Sequence, residues 1–340
     1  MPEHPRPATR PDPRPAGGAA PLPPPPLPLP LAREAVDRAG LEREDPGLLD
    51  RLWQEAGTGV LHLRGGRAPV RDGALVTVPP AGPLPPGAVF LGRRERADGE
   101  ASAAVVLVAH EDGAGAGSTP DTAPEGLPTD VAWVGLRDVA AGLSDADAGL
   151  FTAAVSVTHW HASHGFCPRC GGPTAVESAG WVRRCTACSV QHFPRTDPAV
   201  IMAVTDDDDR LLLGSNAAWP AGRHSCLAGF VEPGESLEHA VVREVGEEAG
   251  IVVVDPVYRG SQPWPFPRSL MVGFRARAPR GQTERADGVE IRSLRWFSRT
   301  ELVAAVRDGE VTLPGAVSIA RALIEDWYGG TLPDETTLIS

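Results

Sequence analysis

The segment Gly229-Phe-Val-Glu-Pro-Gly-Glu-Ser-Leu-Glu-His-Ala-Val-Val-Arg-Glu-Val-Gly-Glu-Glu-Ala-Gly-Ile251 predicts a loop, a helix and a helix stop, in that order. Pro233 and Gly234 together favour a turn. Ser236 is well placed as the N-cap residue, because its hydroxyl can accept a hydrogen bond from a free N–H of the first helical turn. Gly250 lies where a helix end favours the left-handed conformation. We therefore expect a helix between Ser236 and Gly250.

The predicted helix carries carboxylates beside its apolar face. At about 100° per residue, five apolar residues share one stripe, namely Leu237, Ala240, Val241, Val245 and Ala249. Glu244 and Glu248 project within or beside this stripe, whereas the charges of a solvated helix would lie opposite it. Like charges at i and i+4 repel, and a cation between them removes the repulsion. Carboxylates on a rigid helix suit Mg²⁺ or Mn²⁺, which would bind phosphate oxygens and activate a water molecule.

Four of the five cysteines form two C-x2-C pairs, Cys167-Pro-Arg-Cys170 and Cys185-Thr-Ala-Cys188. Two tight turns that deliver four thiolates can complete the tetrahedral shell of a zinc ion, and such a shell leaves no open position for chemistry. We expect a structural zinc site. A zinc ribbon also suits a nucleic-acid-binding module, but few basic and aromatic residues surround this one. The fifth cysteine, Cys226, lies in an apolar run and is expected to be a buried small side chain.

Composition restricts the classes of function that remain. The formal net charge of −12 argues against a broad basic groove that follows nucleic-acid phosphates. No stretch approaches the roughly 18 uninterrupted apolar residues of a membrane-spanning helix, and the N-terminus lacks the charged and apolar regions of a signal peptide. These features lead us to expect a cytoplasmic protein without a membrane partner.

The chain is long enough for several domains. Pro and Ala dominate its start, short apolar runs at Val60 and Val105 alternate with turns, and apolar residues from Leu150 to Trp160 recur at helical spacing. After the cysteines, apolar runs alternate with turns and two helical patterns, which favours an α/β sandwich around a mixed sheet. The expected parts are a disordered Pro-rich leader (1–30), a small strand-rich domain (31–145), a connecting helix with the four-cysteine ribbon (146–193), the sandwich domain (194–330) and a tail (331–340).

The glutamate-rich segment resembles the Nudix box, G-x5-E-x7-R-E-U-x-E-E-x-G-U, in which U is a bulky aliphatic residue. This resemblance implies the Nudix α/β/α sandwich and hydrolysis of a nucleoside diphosphate linked to another group. Arg243 could hold Glu235 through a bidentate ion pair. The catalytic residues implied are Glu235, Arg243, Glu244, Glu247 and Glu248. The metal ligands implied are Ala228, Glu244, Glu247, Glu248 and Glu290.

A second motif, Ser261-Gln-Pro-Trp-Pro-Phe-Pro-Arg-Ser269, resembles the S-Q-P-W-P-F-P-x-S signature of NADH pyrophosphatases within the Nudix family. Its three prolines stiffen the segment, so Trp264 and Phe266 are expected to form walls for a flat ring. The zinc ribbon before the sandwich is similar to the one that NADH pyrophosphatases carry at the same place. The substrate contacts implied are Phe193, Ala228, Phe230, Gln262, Pro263, Trp264, Pro265, Phe266, Pro267, Arg268, Ser269 and Ala320. Phe193 departs from the tyrosine that is usual in this group, which keeps a stacking ring but removes a hydroxyl.

The resemblance implies hydrolysis of NAD(H) to nicotinamide mononucleotide and AMP, with one structural Zn²⁺ and catalytic Mg²⁺ or Mn²⁺. It also implies removal of NAD caps from RNA 5′ ends, and a homodimer that completes the site across its interface. Two alternatives remain, a pyrophosphatase for ADP-ribose or another nucleoside diphosphate derivative, and a nucleotide-sensing regulator that binds nucleic acid. The sequence leaves open which glutamate, Glu247 among them, acts as the general base.

Overall fold

The computed structural model describes residues 27–33, 35–95, 102–110 and 124–332 of the chain. Of the predicted Pro-rich leader, only residues 27–30 lie within this part, and of the predicted tail only residues 331 and 332. In the described part of the chain, no helix combines the length and the hydropathy that a bilayer-spanning segment requires.

The first part of the chain folds around a sheet with eight described strands, which confirms the expected strand-rich region. The strands are β1 (Val36–Asp37), β2 (Gly59–Arg64), β3 (Arg67–Arg71), β4 (Ala74–Leu75), β5 (Thr77–Val78), β6 (Val89–Arg94), β7 (Ala103–His110) and β8 (Ala132–Gly135). Their order is β1-β6-β7-β2-β3-β4, while β5 pairs with β2 and β8 pairs with β3. Two short helices, α1 (Leu48–Gln54) and α2 (Leu136–Val139), complete this part.

The predicted connecting helix is α3 (Asp145–Ser163), which Ser144 caps by accepting a hydrogen bond from the backbone N–H of Asp147. The apolar positions of the predicted repeat are buried, namely Leu150, Ala153, Ala154, Val157 and Trp160. Three short strands follow, β9 (Thr174–Glu177), β10 (Val182–Cys185) and β11 (Gln191–His192), in the order β11-β10-β9. The cysteine region is therefore a small three-stranded unit directly after α3.

The last part of the chain is a mixed sheet between helices, which confirms the predicted α/β/α sandwich. Its strands are β12 (Asp197–Asp206), β13 (Leu211–Asn216), β14 (Leu227–Phe230), β15 (Val254–Trp264), β16 (Ser269–Ala278) and β17 (Ile291–Phe297). Its helices are α4 (Leu237–Ala249), α5 (Arg299–Arg307) and α6 (Ile319–Tyr328). The strand order is β15-β16-β12-β13-β17, with β14 also paired to β12. Only β12 and β16 run parallel among these described neighbours.

Alternate side chains of β12 supply the two apolar layers of the sandwich. Val200 and Met202 are buried in the cluster that contains the apolar stripe of α4. Ile201 and Ala203 point to the other face and are buried with residues of α5 and α6. Because both faces of β12 are buried, its sequence is a continuous apolar run. The residues on one face pack against α4 and hold that helix on one side of the sheet.

Strand directions decide which loops come together. β13 and β15 both run opposite to β12, so they end at the same end of the sheet. β12, β16 and β17 begin at that end, and β14 reaches it at Phe230, which pairs with Ala199. The loop after β13, the β15–β16 hairpin and the start of β17 therefore meet there, although they lie far apart in sequence.

Residues 27–33 join the N-terminal part to the sandwich. Leu29 is buried among residues of α6, whereas Leu31 is buried with residues of α2 and α3. The backbone N–H of Leu31 donates to Oε1 of Gln262 on β15 at 3.1 Å. This segment therefore holds two sheets together beside the hairpin that ends β15.

Candidate active site

Helix α4 brings two carboxylates into the interior at the loop-rich end of the sheet. The oxygen of Ser236 accepts a hydrogen bond from the backbone N–H of His239, and Gly250 ends the helix with a φ of 67°, as the sequence predicted. Glu244 is 9% exposed and Glu248 is 6% exposed. The carboxylates on the apolar side are thus buried, which confirms that they are not part of a solvated face.

Gly229 on β14 provides the space for the Glu244 carboxylate. A Cβ atom at position 229 would lie 1.9 Å from the carboxyl carbon of Glu244 and 2.0 Å from one of its oxygens. Real atoms do not approach this closely, so a side chain at position 229 would displace Glu244. The first glycine of the motif is therefore required by the packing of β14 against α4.

Burial and mutual repulsion raise the pKa of both carboxyl groups. Desolvation raises the pKa of Glu244, although the neighbouring Arg243 opposes this. Desolvation, followed by the charges of Glu244 and Glu290, raises the pKa of Glu248 to about 8. One Glu248 oxygen, Oε2, is buried without a hydrogen-bond partner. An unpartnered carboxylate oxygen among other acidic groups is the arrangement that a hard divalent cation would stabilise.

Arg243 organises the segment before the helix. Its Nε and Nη2 donate to the two oxygens of Glu235 at 2.8 and 2.9 Å, so the structure contains the bidentate pair. This pairing lowers the pKa of Glu235 to about 2. Nη1 donates to Glu244 at 2.8 Å and to Glu247 at 3.0 Å, and Nη2 also reaches the carbonyl oxygen of Phe230. Arg243 therefore fixes the loop, while Glu247, 61% exposed, stays at the surface.

A cleft of about 540 Å³ opens beside Glu248. Four of the residues expected to contact metal or substrate line it, namely Ala228, Glu248, Trp264 and Ala320. Other parts of the wall come from α2, from the loop after β13 and from residues 314–319. The cleft thus combines the inward carboxylate with the proline-rich motif, and its walls include residues of the N-terminal part.

The two aromatic rings of the proline-rich motif lie against each other. Trp264 and Phe266 form an edge contact with ring centroids 5.1 Å apart. The guanidinium of Arg137, on α2, lies 3.9 Å from the Phe266 ring centroid and 5.0 Å from that of Trp264. His159 of α3 contacts the carbonyl oxygen of Pro265 at 2.9 Å. The rings are held in place as expected, and Arg137 lies over one face of each.

The remaining residues with predicted substrate contacts lie in several environments. The Gln262 side chain is fully buried; its Oε1 accepts from Leu31 and its Nε2 donates to the carbonyl oxygen of Val317 at 2.9 Å. Arg268, in the turn of the hairpin, forms an ion pair with Asp197 at the start of β12, with a nitrogen–oxygen distance of 2.7 Å. Phe193 and Phe230 are each 61% exposed. Pro263, Pro265, Pro267 and Ser269 belong to the same hairpin and do not line the cleft.

Glu290 is exposed at the start of β17, near enough for its charge to raise the pKa of Glu248. The Asp287 carboxylate accepts hydrogen bonds from the backbone N–H groups of Glu290 and Ile291, which fixes this turn. The glutamates are nevertheless not drawn together. Among described residues, only the four cysteines form a set of three or more acidic, histidine or cysteine side chains whose ligand atoms lie within 4.8 Å of one another.

The four cysteines converge on one point. The sulfurs of Cys167 and Cys188 are 3.7 Å apart, and those of Cys170 and Cys185 are 3.4 Å apart. A tetrahedral shell with Zn–S bonds of about 2.3 Å places sulfurs about 3.8 Å apart, so these separations suit zinc. A backbone hydrogen bond from Cys188 is the largest cause that lowers the pKa of the Cys185 thiol, to about 6. The donor set and its geometry fit the predicted zinc ribbon.

The fifth cysteine does not join this cluster. Cys226 is buried in the sandwich core, and desolvation raises the pKa of its thiol to about 12. A thiol with this pKa remains protonated near neutral pH. The prediction that Cys226 is a buried small side chain is confirmed.

Sequence reasoning missed part of the cleft wall. The missed residues are Arg137, Asp138, Asn216, Trp219 and Arg223. Arg137 and Asp138 belong to a domain whose sequence carries no functional signal. Trp219 and Arg223 lie in a loop, where binding residues are common, but no motif in the sequence marks them.

The close approach at Gly229 gives a prediction with a matched control in the same motif. We expect Gly229→Ala to lower the rate of diphosphate hydrolysis by roughly 100-fold and to destabilise the fold by about 1–3 kcal/mol, because the new methyl group displaces Glu244. Gly246, within α4, has open space where a methyl group would lie, and the nearest neighbouring atom is 3.9 Å from that position. Gly246→Ala should therefore stabilise the protein by about 1 kcal/mol and leave the rate unchanged.

Thermal unfolding and AMP release from NADH would be measured for both glycine variants. A Gly229→Ala protein with the turnover of the unmodified enzyme would show that the position of Glu244 does not matter for catalysis.

Three family models match consecutive segments of the chain. They are described as an NADH pyrophosphatase-like rudimentary NUDIX domain at residues 55–160, an NADH pyrophosphatase zinc ribbon domain at residues 162–193, and a NUDIX domain at residues 195–314. The second match covers the three-stranded cysteine unit, and the third covers the sandwich from β12 to α5.

The chain is also similar to individual proteins. The chain is 39% identical over 311 residues to the NAD-capped RNA hydrolase NudC of Mycobacterium bovis (strain BCG / Pasteur 1173P2), which covers 87% of this chain and 94% of that protein. It is 39% identical over 197 residues to the human NAD-capped RNA hydrolase NUDT12, covering 54% of this chain and 42% of that protein. A NUDIX hydrolase structure from Nitrosomonas europaea matches 49% of this chain and 94% of its own, with 22% identity and a TM-score of 0.39.

Proposed function

The chain belongs to the Nudix family, in the group that carries the NADH pyrophosphatase zinc ribbon, and from this premise we propose that it hydrolyses the diphosphate of NAD(H) to nicotinamide mononucleotide and AMP. One observation carries the proposal: the buried Glu248 and the Trp264 of the NADH pyrophosphatase motif line the same cleft. The relatives named NAD-capped RNA hydrolases support removal of NAD caps from RNA 5′ ends as a second activity.

The carboxylates fit a divalent cation, and we propose Mg²⁺ or Mn²⁺. Glu244, Glu248, Glu290 and the backbone carbonyl of Ala228 are the proposed ligands. The unpartnered Oε2 of Glu248 supports this assignment. A bound divalent ion neutralises the charge of the diphosphate and lowers the pKa of a coordinated water.

Arg243, Glu247 and the β15–β16 hairpin have different roles in the proposed reaction. Arg243 keeps Glu235 and the loop backbone in place and so fixes the position of Glu244. Glu247 is our proposed acceptor for the proton of the attacking water, because its exposed carboxylate can exchange that proton with solvent. The rigid β15–β16 hairpin orients the dinucleotide, and this orientation brings the diphosphate to the carboxylates.

We also propose a cytoplasmic homodimer with the domain boundaries expected from the sequence. The exposed rings of Phe193 and Phe230 support the dimer, since exposed aromatic side chains are typical of an interface or a binding surface. In this arrangement Phe193 of one subunit reaches the cleft of the other. Sedimentation analysis of unmodified protein and of Phe193→Asp tests it, because the added charge should shift a dimer toward the monomer.

The substrate is tested by incubating the protein with Mg²⁺ or Mn²⁺ and comparing NADH, NAD⁺, ADP-ribose and an NAD-capped RNA. We expect AMP and nicotinamide mononucleotide from the dinucleotide, and 5′-monophosphate RNA from the capped RNA. Faster hydrolysis of ADP-ribose than of NADH would favour the alternative pyrophosphatase. Nucleotide binding without any hydrolysis would favour the regulator.

A further inference from the structure

The loop after β13 carries the aromatic ring of Trp219 and the guanidinium of Arg223. Neither side chain is among the predicted contacts of metal or substrate. Trp219 and Arg223 both line the cleft, and the Arg223 guanidinium lies 5.0 Å from the Trp219 ring centroid. Within the described residues, no carboxylate forms an ion pair with Arg223, which is exposed. In a chain of net charge −12, an arginine without an acidic partner at the wall of a cleft is available to an anionic ligand.

The backbone around this pair is fixed by neighbouring elements. The N–H of Ala217 donates to the carbonyl oxygen of Glu290 at 2.7 Å, and Arg292 donates to the carbonyl oxygen of Trp219 at 3.3 Å. Farther along the loop, the N–H of His224 donates to the carbonyl oxygen of Thr312 at 3.0 Å. The side chains of Trp219 and Arg223 therefore project from a rigid support, as expected of a preorganised binding element.

Strand order places this pair far from the proline-rich motif but at the same end of the sheet. β13 and β15 both end there, and β16 and β12 lie between them. At about 4.8 Å per strand, the ends of β13 and β15 are three spacings, or roughly 14 Å, apart. Trp219, Glu248 and Trp264 line the same cleft. A cleft that contains a buried carboxylate and, at the ends of different strands, the side chains of Trp264 and Trp219 matches a molecule with two bases joined by a diphosphate.

Trp219 and Trp264 are both partly exposed, but their surroundings differ, and this difference assigns the two halves of the substrate. Trp264 is packed with Phe266 under Arg137 and against the core of the N-terminal part. The loop of Trp219 is exposed at Ala217, Ala218 and Arg223. In an NAD-capped RNA the chain continues from the adenosine ribose, so the adenosine half needs the wall that opens to solvent.

We propose that Trp219 and Arg223 form the subsite for the adenosine half of the dinucleotide, with Trp219 stacked on the adenine and Arg223 paired with the adenosine phosphate. This inference rests on the proposed hydrolysis of NAD(H) and names the residues that select its AMP half. Neither stacking on a tryptophan nor an arginine–phosphate contact depends on which bases follow the adenosine in an RNA.

Binding of the two products separates this subsite from the rest of the cleft. Calorimetry with AMP and with nicotinamide mononucleotide would be performed on unmodified protein, Trp219→Ala, Trp219→Phe, Arg223→Ala and Arg280→Ala. Arg280 is an exposed arginine outside the cleft, so its variant controls for the loss of one positive charge. We expect Trp219→Ala and Arg223→Ala to weaken AMP binding roughly 10-fold and to leave nicotinamide mononucleotide binding within twofold. Trp219→Phe should restore most of the AMP affinity.

Turnover of NADH gives an independent measurement. The KM for NADH should rise about 10-fold in Trp219→Ala and Arg223→Ala while kcat stays within threefold, because the lost contacts bind substrate and transition state equally. Unchanged AMP affinity, or an equal loss of affinity for both products, would overturn the subsite. Because the calorimetry needs no hydrolysis, it decides the subsite even where the proposed activity fails.

Discussion

Glu248→Gln is expected to reduce the hydrolysis of NADH by roughly 10²–10³-fold, and at the same time to stabilise the metal-free protein at pH 8. The loss of rate follows because a neutral amide is a poor ligand for a divalent cation, and metal stabilisation of a transition state contributes several kcal/mol. The gain in stability follows because the carboxylate of Glu248 is buried beside other acidic groups and has an oxygen without a partner.

The sign of the pH dependence follows from the pKa of Glu248 in the two states. The folded pKa of about 8 lies above the ordinary value of 4.5, so the folded protein binds a proton that the unfolded chain has released. Folding stability from this group is complete below about pH 4.5 and is lost as the pH rises through 8. We expect the stability advantage of Glu248→Gln to be small near pH 5 and to reach roughly 4 kcal/mol at pH 8.

Thermal unfolding from pH 5 to pH 8, with a chelator and then with Mg²⁺, measures this effect. Glu238→Gln is the matched control, because Glu238 is exposed on the first turn of the same helix and should change neither activity nor the pH profile. Added Mg²⁺ should stabilise the unmodified protein more than Glu248→Gln. A variant that hydrolyses NADH at the unmodified rate would exclude Glu248 from the metal site.

Replacing Cys185 by Ser is expected to release the zinc ion and to lower the Tm by roughly 10 °C. Structural zinc contributes folding free energy directly, and removal of one thiolate leaves an incomplete shell. The ribbon also contacts the N-terminal part: Trp181 donates from Nε1 to the carbonyl oxygen of Phe90 at 2.7 Å, and the Arg43 guanidinium lies 4.0 Å from the Trp181 ring centroid. Loss of zinc should therefore loosen this packing as well.

Metal analysis, thermal unfolding and limited proteolysis test the role of Cys185. The unmodified protein should contain one zinc per chain, and Cys185→Ser should be cleaved rapidly between residues 165 and 193. Cys226→Ala is the matched control, since this buried cysteine lies outside the cluster and its variant should retain zinc. Full zinc content in Cys185→Ser would contradict a four-cysteine site.

Periodicity and motif spacing made several parts of this molecule predictable. The inward direction of Glu244 and Glu248 followed from the apolar stripe of one helix, and both helix caps followed from Ser236 and Gly250. The convergence of the cysteines followed from their doubled spacing. In each case the residues involved are close in sequence, or their chemistry allows few arrangements, so short-range geometry is sufficient.

Contacts between residues far apart in the chain determined the features that the sequence did not predict. Arg137 reaches the rings of Trp264 and Phe266 because α2 of another domain packs beside the β15–β16 hairpin. Gln262, for which a substrate contact is predicted, uses its amide to join Leu31 to Val317. No pattern along the chain encodes such contacts.

The sequence by itself determined the carboxylate row, the zinc ligands and the sandwich, because helix periodicity and ligand spacing are local properties. Only the tertiary structure decided which loops form the cleft, and in particular that Trp219 and Arg223 line it together with Trp264. The physical reason is that strand order and strand direction bring together residues that the chain separates, and these depend on the packing of whole domains.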